Sequence, residues 1–517
     1  MAAFGRTAVI IGGGVTGLAC AALLAHDGYR VTLLEKNEEF GGRHGSWERD
    51  GFRFDTGPSW YTMPEAFNHF FRLLGTAAAE QLDLVQLDPG YRVFADGGEA
   101  PLDVAAATED NLELFESMER GGAARLTRYL EDAARAHRLV RDRLLYSSIS
   151  TLSVRAARLL AREAIGSGRR VGSFLLRPLS RLIARAVKDH RLRRVLASPT
   201  LLLGWSPVRA PGMYSMLNHL DLIDGVLYPI GGLTRVVEVV RDLALAEGAE
   251  LRSGTTVRRI VVEHGEATGV EVADAEGVLS FVDADVVISA VDLHHSEVDL
   301  LLDAADRSYP QRYWDDRVAG AGAVLLFLGV SGELPELEHH SVFFDDADRA
   351  AAAPPLYVGK PSGVDPQLAP EGAETLVVQL QVPADRSLGH GGVDGGGDAA
   401  IEALADLTIA RIAAAAGIPD LAERILLRRT VGPADLADRV NSWRGAAFGG
   451  ALASRRSALM PAVEPSAIVR SLLLLGGSTT PGFGLPDCLI RAELALKLLR
   501  GDISPGPLAE PPQGDAG

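Results

Sequence analysis

A block of glycines near residue 12 constrains the fold of this chain more than any other feature. Gly12, Gly14 and Gly17 satisfy the pattern G-x-G-x-x-G. The apolar residues 8–11 before the block predict a strand, and residues 18–27 after it predict a helix. The first glycine permits a tight turn, the second lets backbone approach a pyrophosphate, and the third lets helix and strand pack closely. The spacing predicts an α/β fold with a βαβ start and a Rossmann-like dinucleotide-binding domain.

The residues beside this block predict how a dinucleotide would be held. Val15 and Thr16 lie at the predicted helix start, where backbone amides and the helix dipole favour a phosphate. A second predicted strand, 30–34, is followed by Glu35 and Lys36. A carboxylate at this distance from the glycines accepts a hydrogen bond from a ribose 2′-hydroxyl and disfavours a 2′-phosphate. We therefore expect all four residues to contact the cofactor.

The next segment narrows the choice of cofactor. Residues 40–46 read F-G-G-R-H-G-S, which resembles the G-G-R-x-x-S extension of a flavoprotein superfamily that includes amine oxidases, protoporphyrinogen oxidases and carotenoid desaturases. The resemblance implies FAD rather than NAD, with Gly42 and Arg43 beside a pyrophosphate onto which a guanidinium can fork. The sequence shows no second dinucleotide fingerprint, so we expect electrons to leave the flavin to oxygen or a quinone. No metal site is expected.

A more specific resemblance lies at residues 474–486, which read L-L-G-G-S-T-T-P-G-F-G-L-P. The segment is similar to the signature of bacterial phytoene desaturases, a strand followed by a glycine-rich turn and a helix. In that family it passes beside the flavin, so the resemblance implies cofactor contacts by Gly477, Ser478, Pro486 and Leu489. The helix dipole there would stabilise negative charge on a reduced flavin.

Further segments match the same family in chain order. They are residues 55–61, 228–232, 248–257 and 432–449. The resemblance implies that Gly57, Pro58 and Val257 also contact FAD, and it covers about residues 6–500. The chain departs from the family at Asp487, where glycine or methionine is usual.

The resemblance implies a function: FAD-dependent desaturation of a C40 carotenoid precursor, from phytoene towards neurosporene or lycopene, by hydride transfer to the flavin. Such a hydrophobic polyene has no heteroatom, so we expect a long apolar tunnel, unlike most enzyme sites. Trp60, Tyr61, Tyr228 and Phe448 are candidates for its wall. A carotenoid ketolase or isomerase, an amine oxidase, and a non-redox prenyl-binding protein on the same fold stay open as alternatives.

Two carboxylates, Asp487 and Glu65, are candidate catalytic acceptors for the proton that the substrate loses. Each follows a proline at a predicted helix start, where an acidic residue also has a plain capping or dipole role. A general base is optional in this chemistry, because a delocalised cation makes its neighbouring protons acidic.

The charge distribution bears on partners and location. The formal net charge is −17, which argues against nucleic acid because phosphate binding requires a positive surface. Residues 151–200 are the exception, with a net charge of +10. Their helical spacing of apolar and basic residues is typical of a basic amphipathic helix that binds anionic lipid. We expect a cytoplasmic protein, peripherally associated with the inner face of the cell membrane through this segment.

The order of these segments predicts a discontinuous organisation. The expected parts are an FAD-binding domain at 1–100, 225–300 and 425–502, a helical lid or membrane-associating region at 101–224, a mixed α+β substrate domain at 301–424, and a disordered tail at 503–517, rich in proline.

Overall fold

The computed structural model describes residues 5–57, 60–95, 99–147, 177–344, 355–448, 464–476 and 484–511. The predicted cofactor contacts Pro58, Gly477 and Ser478 lie outside the described residues, and so do residues 151–176 of the basic segment.

Strands and helices are distributed along the whole described chain. The strands are β1 (Thr7–Ile11), β2 (Arg30–Leu34), β3 (Ser46–Arg49), β4 (Phe52–Asp55), β5 (Leu84–Gln86), β6 (Tyr91–Ala95), β7 (Leu102–Val104), β8 (Leu227–Pro229), β9 (Glu250–Arg252), β10 (Thr256–Glu263), β11 (Glu266–Ala273), β12 (Leu279–Asp283), β13 (Val286–Ser289), β14 (Gly322–Ser331), β15 (His340–Phe344), β16 (Leu356–Gly359), β17 (Ala373–Val382), β18 (Ile425–Val431), β19 (Glu464–Pro465) and β20 (Leu472–Leu474). The α-helices are Val15–His26, Pro64–Leu73, Ala78–Gln81, Thr108–Met118, Gly122–Val140, Leu179–Ala186, His190–Leu202, Met216–Leu222, Gly232–Ala246, Gln311–Asp315, Ala399–Ala416, Pro433–Val440 and Leu485–Arg500.

The first sheet has the strand order β19-β20-β13-β1-β2-β9, and β1 is parallel to both β2 and β13. The chain thus continues from β1 to one side of the sheet and returns on the other, which leaves a crevice at the carboxyl end of β1. Ala8 and Ile10 pack on the helix Val15–His26, whereas Val9 and Ile11 face the sheet β10-β11-β12. Because both faces are covered, β1 is apolar throughout. The Rossmann-like βαβ start is confirmed.

Gly17 holds the first helix against β1. A Cβ at this position would clash with the carbonyl oxygen of Gly12. This close approach is the packing role predicted for the third glycine of the block.

The second sheet has the order β18-β14-β17-β16-β15-β6-β7. One face packs on the helix Ala399–Ala416 through an aliphatic core that includes Leu326 and Val378. On the other face Leu325, Gln379 and Tyr357 lie side by side, since Gln379 of β17 is in register with both of the others. This face is turned towards the crevice of the first sheet.

Strand pairing moves two of the expected domain limits. The strand Tyr91–Ala95 pairs with β15, and Ile425–Val431 pairs with β14, so both belong to the second sheet. The sequence had placed them in the FAD-binding parts 1–100 and 425–502, and that placement is wrong for these strands. Pairing between segments hundreds of residues apart leaves no local signal, so adjacency along the chain misled the assignment.

Within 101–224, the described residues 101–147 and 177–224 are mainly helical. In the helix Leu179–Ala186 the apolar residues Leu179 and Ile183 are buried in the core, and Arg181 and Arg185 are exposed. The helix therefore presents charge rather than apolar surface to the solvent. Within the described residues, no helix has the length and hydropathy needed to cross a bilayer.

The tail prediction is wrong for residues 503–511. Lys497, on the last helix, donates to the carbonyl oxygens of Ser504 (2.9 Å) and Gly506 (2.5 Å). Glu493 accepts from the amide of Leu508, and Glu510 hydrogen-bonds to His69 at 2.9 Å. The buried ammonium and carboxylate of the last helix need polar partners, and the proline-rich tail supplies them.

Candidate active site

A cavity of about 620 Å³ lies between the carboxyl ends of the first sheet and the inner face of the second. Its volume is in the range of ligand sites. One end is lined by the glycine block, Glu35 and the start of the last helix. The other end is lined mainly by apolar and aromatic side chains, namely Leu203, Trp205, Leu325, Tyr357, Val377, Gln379, Ala447 and Phe448.

Backbone forms the wall where a pyrophosphate is expected. Gly12, Gly14, Val15 and Thr16 all line the cavity, beside Gly42. Gly12 has φ +99°, a conformation that favours glycine. The helix that begins at Val15 points its first amides into this space, which suits an anion.

Glu35 is buried, lines the cavity, and accepts hydrogen bonds from the protein at both carboxylate oxygens. The amide of Gly13 donates to one oxygen at 2.7 Å, and Asn37 donates to the other from its amide (2.9 Å) and side chain (2.6 Å). Lys36 also lines the cavity and donates to the carbonyl oxygen of Asp438 and to the side chain of Asn441. Burial lowers the pKa of Lys36, although Glu35 opposes the shift.

Two buried guanidinium groups face this end of the cavity. The Nε atom of Arg43 has no hydrogen-bond partner within the described residues. Burial lowers the pKa of Arg43, and neighbouring Arg491 adds to the decrease. Arg491 pairs with Asp487 at 2.5 Å and donates to the carbonyl oxygen of Gly476 at 2.8 Å. Two carboxylates, Asp487 and Asp292, lie beside these cations. The unpartnered Nε donor of Arg43 is the group that suits an anionic ligand.

Asp487, the first candidate proton acceptor, is in the cavity wall but committed to this ion pair. Burial raises its pKa, and the charge and hydrogen bond of Arg491 oppose the shift. Its catalytic role stays a prediction. The last helix begins at Leu485 rather than near 489, so its first turns face the cavity through Asp487 and Cys488.

Glu65, the second candidate, is not among the residues that line the cavity. Its carboxylate pairs with His137 at 3.0 Å, beside the ring of His219. Burial tends to raise the pKa of Glu65, but His137, a backbone hydrogen bond and the charge of Arg141 together outweigh burial and lower the pKa. The helix Pro64–Leu73 turns Glu65 towards the helix Gly122–Val140, and its role as proton acceptor stays a prediction.

The remaining predicted cofactor residues divide into two groups. Gly57 and Val257 line the cavity. Gly17, Pro486 and Leu489 do not, and Gly17 acts through packing as described above.

Of the predicted tunnel residues, Phe448 alone lines the described cavity. Tyr61 and Tyr228 are fully buried outside the wall, and Trp60 stacks on His340 with ring centroids 4.3 Å apart. These aromatics are core residues one layer behind the wall. Sequence reasoning missed Tyr357 and Gln379, because only the register of β16 with β17 shows which face of the strand meets the cavity.

A family profile and two full-length relatives match this chain. The profile of the family described as flavin containing amine oxidoreductase matches residues 15–381. A carotenoid 3,4-desaturase of Haloarcula japonica is 33% identical over 97% of this chain and 99% of the relative. A zeta-carotene-forming phytoene desaturase of Myxococcus xanthus is 33% identical over 96% and 94%.

Solved structures share the fold at low sequence identity. An oxidoreductase from Methanosarcina mazei has a TM-score of 0.57 at 17% identity and covers 95% of this chain and 100% of its own. A putrescine oxidase bound to putrescine has a TM-score of 0.57 at 15% identity and covers 96% and 99%.

The residues present fit FAD, the cofactor of this family. The glycine block and the guanidinium of Arg43 suit the pyrophosphate, and the carboxylate of Glu35 suits the adenosine ribose. The cavity then continues past Gly57 to the apolar face of the second sheet. A flavin ring there would lie against these mainly apolar side chains.

Proposed function

Because this chain belongs to the flavin containing amine oxidoreductase family, and within it to the carotenoid desaturases, we propose that it desaturates a C40 carotenoid precursor, from phytoene towards neurosporene or lycopene. It is an FAD-dependent oxidoreductase that acts on carbon–carbon bonds. The observation that carries the proposal is the continuity of one cavity from the cofactor cradle to the apolar wall of Leu203, Trp205, Val377 and Phe448.

The apolar wall can bind a hydrocarbon substrate by the hydrophobic effect and can keep water from it. Bound FAD supplies the acceptor for a hydride from an allylic carbon. The chain binds the polyene by burying it against aliphatic and aromatic side chains, which contributes about 25 cal/mol per Å² of apolar surface removed from water. It also excludes water from the reacting carbons and provides an acceptor for the proton.

A second candidate, favoured by the full-length similarity to the Haloarcula japonica protein, is 3,4-desaturation of a carotenoid that is already conjugated. Expression in cells that make only phytoene, and separately in cells that make only lycopene, distinguishes the two by pigment analysis. New conjugated products from phytoene support the first candidate. Products from lycopene alone overturn it in favour of the second.

We also propose oxygen or a quinone as the electron acceptor. Within the described residues there is one dinucleotide cradle, which supports an acceptor that does not need a site of that kind. Saturable, stoichiometric oxidation of NADPH by the purified holoenzyme would contradict this proposal.

Attachment to the cytoplasmic face of the membrane is likewise proposed. It is supported by the exposed bases Arg181, Arg185, Lys188 and Arg193 of the helical region. Because the apolar side of the helix Leu179–Ala186 is buried in the protein, the described part of this surface would attract anionic lipid by charge.

A further inference from the structure

The wall that the second sheet contributes to the cavity contains one titratable side chain among the described residues, Tyr357. Its neighbours in this wall are Leu325, Val377 and Gln379. Register with Gln379 places Tyr357 on the cavity face of β16, while its neighbours Leu356 and Val358 pack in the core on the other face. An apolar substrate gives no reason for a hydroxyl here.

Behind Tyr357 lies a buried histidine. The hydroxyl of Tyr357 and Nδ1 of His340 are 2.8 Å apart. His340 is fully buried on β15, its ring is stacked at 11° on Trp60, and the ring of His339 meets it edge-on at 4.5 Å. The contacts with these two rings fix the imidazole, so Nδ1 stays directed at the hydroxyl.

His340 is held in its neutral form. Burial, with a further contribution from His339, keeps the pKa of its imidazole well below the ordinary value. A neutral imidazole has one nitrogen free to accept a proton. Although it is a weak base, the proton next to a delocalised cation is strongly acidic, so a weak base in the right place suffices.

The other carboxylates and imidazoles of the cavity belong to the first sheet and the cofactor cradle. Asp292, His295 and Asp299 follow β13 of the first sheet, and His295 pairs with Asp299 at 2.8 Å. Asp487 is engaged by Arg491 at 2.5 Å. His44 packs against Gly57 in the cofactor cradle, where the charge of Arg43 and burial lower its pKa to about 4. Both lie on the side of the cavity that the cofactor takes, opposite the sheet on which a polyene would rest.

We propose that Tyr357 is the catalytic proton acceptor of this site and that His340 is its positioning partner. The proposal rests on the proposed desaturation. In the step, one substrate carbon loses hydride to FAD, the oxidant, and the adjacent C–H bond breaks. The electron pair of that bond forms the new C=C bond, its proton goes to the Tyr357 oxygen, and the Tyr357 hydroxyl proton goes to Nδ1 of His340.

The substitution Tyr357→Phe removes the hydroxyl and keeps the ring. In single-turnover reduction of the holoenzyme by its polyene, we expect a rate decrease on the order of 100-fold or more, with FAD content and polyene affinity unchanged. A substrate deuterated at the carbon that loses the proton should show a larger isotope effect in Tyr357→Phe and His340→Asn than in the wild type. Tyr29→Phe, which deletes a buried hydroxyl away from the cavity, is the matched control and should react normally.

A spectroscopic measurement tests the same pair without turnover. In protein labelled with 15N-histidine, with His340→Asn for assignment, His340 should show an unprotonated Nδ1 whose shift moves in Tyr357→Phe. A protonated Nδ1, or a Tyr357→Phe enzyme that reacts at the wild-type rate with an unchanged isotope effect, would overturn the proposal. If instead the wild-type enzyme desaturates no carotenoid while the histidine signal behaves as expected, the proposed function fails and the hydrogen-bonded pair stands.

Discussion

Glu35 and Arg43 show at the scale of single residues how a cofactor site is marked by charge. Glu35 is buried and accepts three hydrogen bonds at the edge of the cavity, and Nε of Arg43 is a buried donor without a partner within the described residues. A buried charge without full compensation costs free energy. It is retained here because the bound cofactor supplies the missing partners.

The substitution Glu35→Gln tests this reading. The amide keeps the size of the side chain but loses the charge, and one of its ends becomes a donor that opposes the donors Gly13 and Asn37. We expect FAD affinity to fall by roughly 1.5–3 kcal/mol, the contribution of a hydrogen bond to a charged group. Titration of apoprotein with FAD, followed by flavin fluorescence, measures it. Glu238→Gln, a partly exposed position outside the cavity wall, should bind FAD like the wild type.

At the scale of elements, the two glycines at the start of the first helix have separable roles. A Cβ at Gly17 clashes with backbone, whereas a Cβ at Gly14, which has φ −71°, meets nothing closer than 3.9 Å. Gly17 therefore sets how closely the helix packs on the strand, and Gly14 sets how closely the cofactor approaches the backbone.

We therefore expect Gly17→Ala to destabilise the apoprotein by about 1–3 kcal/mol, as overpacking does, and Gly14→Ala to leave apoprotein stability unchanged while it weakens FAD binding. Urea unfolding of the apoproteins and FAD titration give the two readouts. Equal stability of both apoprotein variants would show that the third glycine has no packing role.

The tail is a second element whose attachment makes a prediction about pH. Burial tends to lower the pKa of His69, but hydrogen bonds to Glu493 and Glu510 outweigh burial and raise it. A raised folded pKa means that the stabilisation is fully present below the unfolded value of about 6.5 and is lost as pH rises through the folded pKa.

The melting temperature of His69→Gln, compared with wild type, should thus show its largest deficit near pH 6 and a shrinking deficit towards pH 9. Arg72 pairs with Glu510, and Tyr146 packs edge-on against the histidine. Burial raises the pKa of Tyr146, so its hydroxyl stays neutral over that range. His26→Gln, a change in an exposed histidine, serves as control. A deficit that grows with pH would contradict the assigned protonation.

At the scale of the whole molecule, an acidic protein carries a run of exposed bases in its helical region, namely Arg181, Arg185, Lys188 and Arg193. We expect Arg181→Glu with Arg185→Glu to reduce flotation with anionic liposomes severalfold, since each base near such a surface contributes about 1 kcal/mol. Arg259→Glu with Arg470→Glu changes the net charge equally at other exposed sites and should float like the wild type. Retention of both double variants on neutral vesicles would argue against charge as the cause.

The features that the sequence determined by itself are local ones. The βαβ start, the cradle residues Gly12, Gly14 and Glu35, and the cofactor follow from backbone requirements within about 35 consecutive residues, so their spacing carries the information. The family and its chemistry follow from a glycine-rich signature of thirteen residues at 474–486.

Only the tertiary structure decided what lines the substrate end of the cavity. Tyr357 enters the wall because β16 pairs with β17 in one register, and a shift of one residue would turn it into the core. Glu65 lies outside the cavity wall because its helix packs towards the helix Gly122–Val140. Residues 503–511 are held by hydrogen bonds to the buried side chains of Glu493 and Lys497. These outcomes depend on contacts between distant segments, which the energy of the whole fold selects and no local pattern records.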